Sequence, residues 1–333
     1  MTEHTIRWGI IGCGNVTEVK SGPAFQKVPG SALVAVMRRD AAKAEDYARR
    51  HGVPRWHVGA QALVDDPEVD AVYAATPPAS HADYALMALR AGKPVYVEKP
   101  MARDTAECEA MLRGSRESGV PLFVAYYRRA LPRFLKVQSL LHDERAIGTP
   151  RLVDVVLHYT LQAAYQDPAA LPWRVRPELS GGGLFVDVGS HTLDLLDFLF
   201  GEIAEVSGHA GSQSRAYPAE DTVTMSMRFA NGLQGTGAWN FCSYGHRDSV
   251  EIVGDRGRLR FSTFGDGPIT VETADGVQEY LIGNPPHIQQ PLIATIVAQL
   301  QGHGRCPSTG DSALRTSRVI DQVLARYRQG APG

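Results

Sequence analysis

Short apolar runs that alternate with helical segments in the first 125 residues constrain the fold of this chain more than any other feature. Continuous apolar strands separated by helices of about 12 residues are typical of a parallel sheet that is covered on both faces. Because parallel strands are joined by right-handed crossovers, the alternation predicts a doubly wound α/β domain, a Rossmann sheet, over residues 1–125. The predicted strands are Thr5–Ile11, Ala32–Met37, Ala71–Ala75, Val95–Val97 and Leu122–Ala125.

Capping residues place the helices between these strands. Asp40 and Gly52 bracket one helical pattern, and Asp104 and Gly119 bracket another. A carboxylate at the first position accepts from free main-chain N–H groups, and glycine ends a helix because it adopts a left-handed conformation readily. These pairs therefore predict a helix after the second strand and another after the fourth.

The second half of the chain has the pattern of antiparallel strands. Residues 221–229 alternate between apolar and polar side chains, and the Asn231-Gly232 turn leads into a return strand at 233–242. Helices are expected at 190–199, about 288–302 and 311–328. We therefore predict an α+β domain over residues 126–333, in which an open, mostly antiparallel sheet forms a meander with helices on one face.

Composition excludes several classes of partner. The 333 residues carry 34 basic and 36 acidic side chains, a formal net charge of −2, which favours neither nucleic acid nor anionic lipid. No apolar run approaches the roughly 20 residues of a membrane span, and the N-terminus lacks a signal-peptide pattern. The scattered Cys13, Cys108, Cys242 and Cys306 fit neither a metal site nor a disulfide framework, so we expect no metal and a cytoplasmic location.

A glycine-rich loop directly follows the first predicted strand. Gly12 permits a tight turn there, and Gly14 permits the close approach of a pyrophosphate to main-chain N–H groups at a helix start. The third position of the fingerprint is Thr17 instead of Gly or Ala, and a plain pair of turn glycines is the alternative. The candidate cofactor-binding residues of this loop are Gly12, Cys13, Gly14, Asn15 and Val16.

The end of the second strand indicates which dinucleotide is bound. NAD-binding proteins place a carboxylate there for the ribose hydroxyl, whereas arginine can pair with the 2′-phosphate of NADP. Here the strand ends in Arg38 and Arg39. We therefore expect NADP(H) to be preferred and NAD(H) to be possible. The alternative is that both arginines are solvated loop charges, with Asp40 close by.

Lys99 follows the predicted strand Val95–Val97, at the carboxyl edge of the sheet where cofactors lie in such folds. Taken alone, this residue would be interpreted as a surface lysine. The glycine-rich loop upstream makes a functional position the better interpretation.

Asp187 and His191 form a second candidate cluster, after the three glycines at 181–183. The two share a face if the helix includes Asp187, and they converge at its N-terminus if it begins near Ser190. Histidine titrates near neutral pH, and a carboxylate can orient it. The alternatives are a structural histidine and a helix-capping aspartate, but neither accounts for the glycines.

Together the motifs at 12–14, 98–100 and 181–191 resemble the Gfo/Idh/MocA oxidoreductases, over nearly the whole chain. This resemblance implies that Lys99 lies near the nicotinamide and the reacting oxygen and that His191 donates or accepts a proton. It also implies that Asp187 binds substrate and orients the pair, so the candidate catalytic residues are Lys99, Asp187 and His191. Thr17 and the tyrosine pair at 126–127 depart from the family pattern.

The same resemblance extends to further positions. Residues expected near the cofactor are Thr76, Pro77, His81 and Glu98, of which His81 would begin a helix. Residues expected to contact substrate are Tyr127, Arg129, Trp173 and Arg174, besides Asp187 and His191. Trp173 could equally be a packing residue.

The predicted function is hydride transfer between NAD(P) and a sugar, polyol or related carbonyl compound. Two alternatives remain open: an NAD-dependent glycoside hydrolase of the same family, and a non-catalytic dinucleotide-binding regulator. Family members pair through the open face of the C-terminal sheet, so the resemblance implies a homodimer or homotetramer.

Overall fold

A computed structural model describes residues 4–330, which divide into two compact units. The first unit contains the residues up to 131 together with 285–314, and the second contains 132–284 together with the residues from 315 onward. The outer limits predicted for the domains, residues 1 and 333, lie outside the described residues.

This division differs from the predicted boundary at 125–126, because a late segment of the chain belongs to the first unit. Phe123 forms a β-bridge with Thr309, and the hydroxyl of Tyr96 donates to Oε1 of Gln289 at 2.8 Å. These contacts join positions nearly 200 residues apart, so no local sequence pattern reports them.

The first unit contains a six-stranded parallel sheet, in agreement with the predicted Rossmann sheet. Its strand order is β3-β2-β1-β4-β5-β6. The strands are β1 Ile6–Ile11, β2 Ser31–Met37, β3 Arg55–His57, β4 Ala71–Ala74, β5 Val95–Val97 and β6 Leu122–Val124. The short edge strand β3 was not predicted, because Arg55, Trp56 and His57 form no apolar run. The five predicted strands are confirmed.

Helices flank these strands where the caps predict them. Asp40 accepts from the N–H of Lys43 at the start of one helix, and Gly52 ends it in the left-handed conformation. Asp104 and Gly119 cap another helix in the same way. The helices are α1 Asn15–Val19, α2 Gly22–Lys27, α3 Ala41–His51, α4 Ala60–Val64, α5 His81–Arg90 and α6 Thr105–Ser118.

The second unit contains an eight-stranded, mostly antiparallel sheet. Its strand order is β14-β13-β12-β11-β7-β10-β9-β8. The strands are β7 Pro150–His158, β8 Ile203–Gly211, β9 Thr222–Phe229, β10 Gln234–Asn240, β11 Arg247–Gly254, β12 Gly257–Phe261, β13 Ile269–Thr273 and β14 Gly276–Tyr280. The prediction of a simple meander is wrong at one place: β7 lies between β10 and β11 and runs parallel to β10. Turn signals report only strands that are neighbours along the chain, so they could not reveal this insertion.

One face of this sheet is covered by helices. The alternation predicted for β9 is confirmed, since its apolar side chains are buried and the residues between them are exposed. The ring of Phe200 packs against Phe229, and that of Phe134 packs against Phe261. The remaining helices are α7 Pro132–His142, α8 Pro177–Ser180, α9 Ser190–Phe200, α10 Gln290–Leu300 and α11 Gly310–Gly330.

Candidate active site

The glycine-rich loop leaves β1 in a conformation that requires glycine. Gly12 has a φ of 88°, and a Cβ added to it would lie 2.4 Å from Cγ2 of Thr76. A Cβ added to Gly14 would instead meet only the carbonyl oxygen of Gly12, at 3.8 Å. The main chain at Gly14 is therefore open to a ligand, as the approach of a pyrophosphate requires.

Cys13 contributes its main chain to this loop, because its side chain is directed inward. The thiol is buried, and it lies 3.7 Å from the carbonyl oxygen of Met37. Burial raises the pKa of this thiol to about 11, so it is not a reactive thiolate near neutral pH. Asn15 is exposed and Val16 is half-buried at the start of α1.

Thr17, which departs from the fingerprint, is fully buried and fits its position. Its hydroxyl donates to the carbonyl oxygen of Gly14 at 2.8 Å, and its own carbonyl accepts from the hydroxyl of Tyr47 at 2.8 Å. A Cβ added to Gly22 would lie 2.1 Å from that carbonyl oxygen. Close main-chain packing is therefore supplied by Gly22, five residues beyond the usual third glycine.

The charges at the end of β2 are basic. Arg38 is half-buried and donates to the carbonyl oxygen of Cys13 at 3.2 Å, whereas Arg39 is exposed. The carboxylate of Asp40 accepts from the N–H of Lys43 as the cap of α3 and lies 3.2 Å from the Lys43 ammonium. The carboxylate of Asp40, which is close to Arg38 in sequence, thus binds Lys43 in its own helix.

The loop after β4 contains Thr76 and Pro77, both half-buried. The hydroxyl of Ser80 donates to Oγ1 of Thr76 at 2.8 Å. His81 is fully buried, with its ring nitrogens 2.7 Å from the Thr76 carbonyl oxygen and 3.0 Å from that of Pro100, and burial lowers its pKa. His81 begins α5, as predicted, and its enclosed ring supports the main chain of the loop after β4. Its place near the cofactor stays a prediction.

Glu98 also supports the site from inside the unit. Its Oε1 accepts from the hydroxyl of Tyr73 at 2.5 Å and from Nε2 of Gln289 at 2.6 Å, and its Oε2 accepts from the N–H of Lys99 at 3.1 Å. The carboxylate is buried, so it positions the main chain of Lys99, whose side chain is half-buried. Gln289 was not predicted, because no sequence pattern around it indicates a contact with Glu98.

Tyr127 and Arg129 lie in a 3-10 turn at Tyr127–Ala130. Their exposed fractions are 7% and 4%, and the guanidinium of Arg128 lies 5.0 Å from the centroid of the Tyr127 ring. Both residues belong to the first unit and are buried, and their contact with substrate stays a prediction.

In the second unit, Asp187 and His191 lie on one continuous helical segment. A π-helical turn at Phe185–Gly189 leads directly into α9, so the helix includes Asp187. Such turns are frequent at functional sites. The exposed fractions of Asp187 and His191 are 7% and 5%. Both groups are therefore in a poorly hydrated environment, where their interactions are stronger than in water.

Arg174 contacts Asp187 directly. Its Nε lies 3.0 Å from Oδ2 of that carboxylate, and its guanidinium lies 4.5 Å from the centroid of the Trp173 ring. A planar guanidinium can pair with a carboxylate and stack on an aromatic ring at once. The structure thus brings together three of the residues predicted to contact substrate.

A loop after β12 packs against His191. The rings of His191 and Phe264 meet edge to face, with centroids 5.8 Å apart. The carboxylate of Asp248 accepts from the N–H groups of residues 263–265 at 2.6 to 3.2 Å. Arg133 is buried and donates to a carbonyl of the same loop at 2.6 Å. This loop was not predicted, because neither Asp248 nor Arg133 belongs to a recognisable sequence motif.

Within residues 4–330, no cluster of three or more His, Cys, Asp or Glu side chains is arranged to bind a metal ion. None of the helices in this range combines the length and the apolar character needed to cross a membrane.

Two family models match the chain. Residues 6–126 match "Oxidoreductase family, NAD-binding Rossmann fold", and residues 134–260 match "GFO/IDH/MocA C-terminal domain". Together these matches cover most of both units.

Individual proteins match over nearly the full chain. Oxidoreductase P35 of Formosa agariphila is 40% identical, over 96% of this chain and 98% of its own length. The NAD(+)-dependent scyllo-inositol 2-dehydrogenase of Bacillus subtilis is 27% identical, over 97% of this chain and 91% of its own. A levoglucosan dehydrogenase solved with NADH and levoglucosan has a TM-score of 0.85 at 21% identity, over 97% of each chain, a likeness that shows the fold.

Proposed function

The chain belongs to the Gfo/Idh/MocA oxidoreductase family, and from this premise we propose that it transfers a hydride between NADP(H) and a sugar, polyol or related carbonyl compound. The predicted family is confirmed, and with it an NAD(P)-dependent dehydrogenase or reductase on a Rossmann fold. The inositol and levoglucosan dehydrogenases support a polyhydroxylated substrate for this chain.

One observation carries the proposal: the ends of β1, β4 and β5 are adjacent in the sheet, and they lead to Gly12, Thr76 and Lys99. Ligands of open α/β sheets bind at the carboxyl ends of the strands. The open main chain at Gly14 fits the pyrophosphate, and Lys99 supplies a cation at the same edge.

The preference for NADP(H) rests on Arg38. This side chain is half-buried at the end of β2, against the glycine-rich loop, while Asp40 caps its own helix. A guanidinium at this place pairs well with a 2′-phosphate. The two named dehydrogenases bind NAD or NADH, so the preference depends on this chain's own residues alone.

The proton chemistry is assigned to the second unit. The loop at Gly12 and Gly14 would hold the dinucleotide, whose nicotinamide would supply the hydride chemistry. In the oxidation direction, a ring nitrogen of His191 accepts the hydroxyl proton. The ammonium group of Lys99 donates a hydrogen bond to the oxygen as negative charge develops on it. The carboxylate of Asp187, fixed by Arg174, accepts from further hydroxyl groups of the substrate.

A substrate screen tests this function. Sugars, polyols, inositols and short dicarbonyls are each incubated with NADP⁺ or NADPH, and the absorbance of the reduced nicotinamide is followed. Stoichiometric change with product supports the proposal. Product release from glycosides without net change in cofactor would support the hydrolase, and binding of cofactor without turnover on any compound would support the regulator.

A further inference from the structure

Glu220 lies beneath the glycine loop of the second unit, and nothing in the predicted site includes it. Its side chain is 1% exposed. Both carboxyl oxygens, Oε1 and Oε2, lie 2.8 Å from the main-chain nitrogen of Gly183. A carboxylate that accepts from a main-chain N–H inside a protein forms a strong, charge-assisted hydrogen bond.

Val186 and Glu220 explain why the loop contains glycine at positions 182 and 183. A Cβ added to Gly182 would lie 2.4 Å from Cγ2 of Val186 and 3.1 Å from Oε2 of Glu220. A Cβ added to Gly183 would lie 2.2 Å from the carbonyl oxygen of Glu220. Gly182 therefore accommodates Val186 and the carboxyl group of Glu220, and Gly183 accommodates the main chain of Glu220.

Gly183 connects Glu220 to the helix that carries the candidate acid–base residues. Its N–H donates to Glu220, and its carbonyl oxygen accepts from the N–H of Asp187 at 3.2 Å. The carbonyl oxygen of Asp187 in turn accepts from the hydroxyl of Ser190 at 3.2 Å, one residue before His191. One buried carboxyl group thus fixes the first turn of this segment.

We propose that Glu220 is a positioning residue that anchors the glycine loop and thereby sets the places of Asp187 and His191. The inference rests on the proposed function for its effect on turnover. The anchoring itself can be measured without turnover.

The electrostatic surroundings of Glu220 shift its pKa, and this shift makes the anchoring of the loop depend on pH. Burial raises its pKa to about 7, although the Gly183 amide and the Arg328 guanidinium favour the ionised form. Arg328 also donates to the carbonyl oxygen of Gly181 at 2.8 Å. Tyr217 from the preceding loop and Tyr327 from α11 also interact electrostatically with Glu220. The carboxylate of the adjacent Asp221 is instead directed at the N–H groups of Gln213 and Ser214.

The raised pKa of Glu220 determines whether the glycine loop opens more easily at high or at low pH. Once the loop opens to water, the carboxyl group of Glu220 titrates near its ordinary value of 4.5. The closed loop therefore binds the proton more tightly than the open loop, so opening becomes easier as pH rises from 4.5 to about 7. Above that window the effect is constant.

The experiment compares wild type with Glu220→Gln by hydrogen exchange of peptides spanning 181–191, over a pH series and corrected for intrinsic exchange. A protonated carboxyl group keeps lone pairs on both oxygens that face the Gly183 N–H, whereas the substitution replaces one of these oxygens by an NH2 group that cannot accept. We therefore expect faster exchange and no pH-dependent loss of protection. Asp221→Asn is the matched control, because this buried carboxylate accepts at 2.8 Å from the N–H groups of Gln213 and Ser214 instead. It should leave exchange of 181–191 as in wild type.

Two further measurements, kcat and the NMR signal of the His191 ring, show whether loss of the anchor displaces the acid–base residues. A small misplacement of a reacting group can lower turnover by about 100-fold, so we expect Glu220→Gln to lower kcat by about 10- to 100-fold. The Kd for NADPH should change by less than about twofold, since the cofactor residues belong to the first unit. The NMR signal of the His191 ring, assigned with His191→Gln, should shift in Glu220→Gln.

Three results would overturn the inference. In the first, residues 181–191 exchange at the same rate in Glu220→Gln as in wild type. In the second, exchange changes in the variant but the NMR signal of the His191 ring does not shift. In the third, the protection of residues 181–191 in wild type does not fall between pH 4.5 and about 7. The last measurement needs no variant, so it decides the case if Glu220→Gln does not fold. If wild type turns over no substrate, the proposed function fails, while exchange and the His191 signal still test the anchor.

Discussion

In the first unit, Gly12, Thr76 and Lys99 lie within two residues of the ends of neighbouring strands. In the second unit, Asp187 and His191 lie on a helical segment that is contacted by residues distant in sequence. The first arrangement follows from local sequence, because a parallel strand that ends at the sheet edge carries its next residues to that edge. The second depends on side chains such as Glu220 and Phe264, which are 33 and 73 residues from Asp187 and His191. Cofactor binding and proton transfer should therefore respond separately to mutation.

The largest effect expected is on turnover. His191→Ala and Lys99→Ala should each lower kcat by roughly 10²–10⁴-fold, the usual contribution of a positioned acid–base group. His191→Ala should leave the Kd for NADPH nearly unchanged, as measured by calorimetric titration, because His191 belongs to the second unit. Near-normal turnover of the His191 variant would show that this residue has no part in the mechanism. The assignment of proton transfer to the second unit would then be wrong.

A smaller effect is expected on cofactor choice. Arg38→Ala should raise the Kd for NADPH by about 10- to 150-fold, since a hydrogen bond to a charged group contributes about 1.5–3 kcal/mol. The Kd for NADH should stay within about twofold, because NADH lacks the 2′-phosphate. Arg39→Ala is the control for the exposed neighbour, and the double variant shows whether the two share the phosphate. Equal loss for both cofactors would contradict the NADP preference.

The loop that packs on His191 allows a test of long-range support. Asp248→Asn replaces one oxygen that accepts from main-chain N–H groups by a donor, so we expect the free energy of unfolding to fall by about 1–3 kcal/mol. Turnover should fall as the Phe264 ring shifts, while the NADPH Kd should not change. Denaturant unfolding and steady-state kinetics measure the two effects, and a change in cofactor affinity alone would count against this division of roles.

The smallest effect expected is on the helix cap in the first unit. Asp40→Ala removes the acceptor for the N–H of Lys43 and should cost about 1 kcal/mol of stability. It should leave the affinity for NADH as in wild type. A large loss of NADH affinity would identify Asp40 as the ribose ligand, and the assignment of NADP(H) would then be wrong.

Sequence analysis predicted the first unit more fully than the second. The five strands, the caps at Asp40 and Asp104 and the glycine turn at Gly12 all follow from patterns within a few residues. The place of β7 between β10 and β11 does not, because pairing of strands distant in sequence leaves no turn signal. The helix start at His81 was predicted correctly, but the two carbonyl oxygens that hold its ring come from Thr76 and Pro100 and leave no local pattern.

Sequence patterns were enough to predict the family, the Rossmann sheet and the residues chemically suited to a site, which are Gly14, Arg38, Lys99, Asp187 and His191. The contacts that support these residues are visible in the folded structure alone. Gln289 bonds to Glu98 across 191 positions, and Glu220 bonds to Gly183 across 37. A strand, a cap or a turn is stabilised by neighbours along the chain and leaves a local pattern. A buried carboxyl group is stabilised by whichever donor the fold brings to it, and that donor can lie anywhere in the sequence.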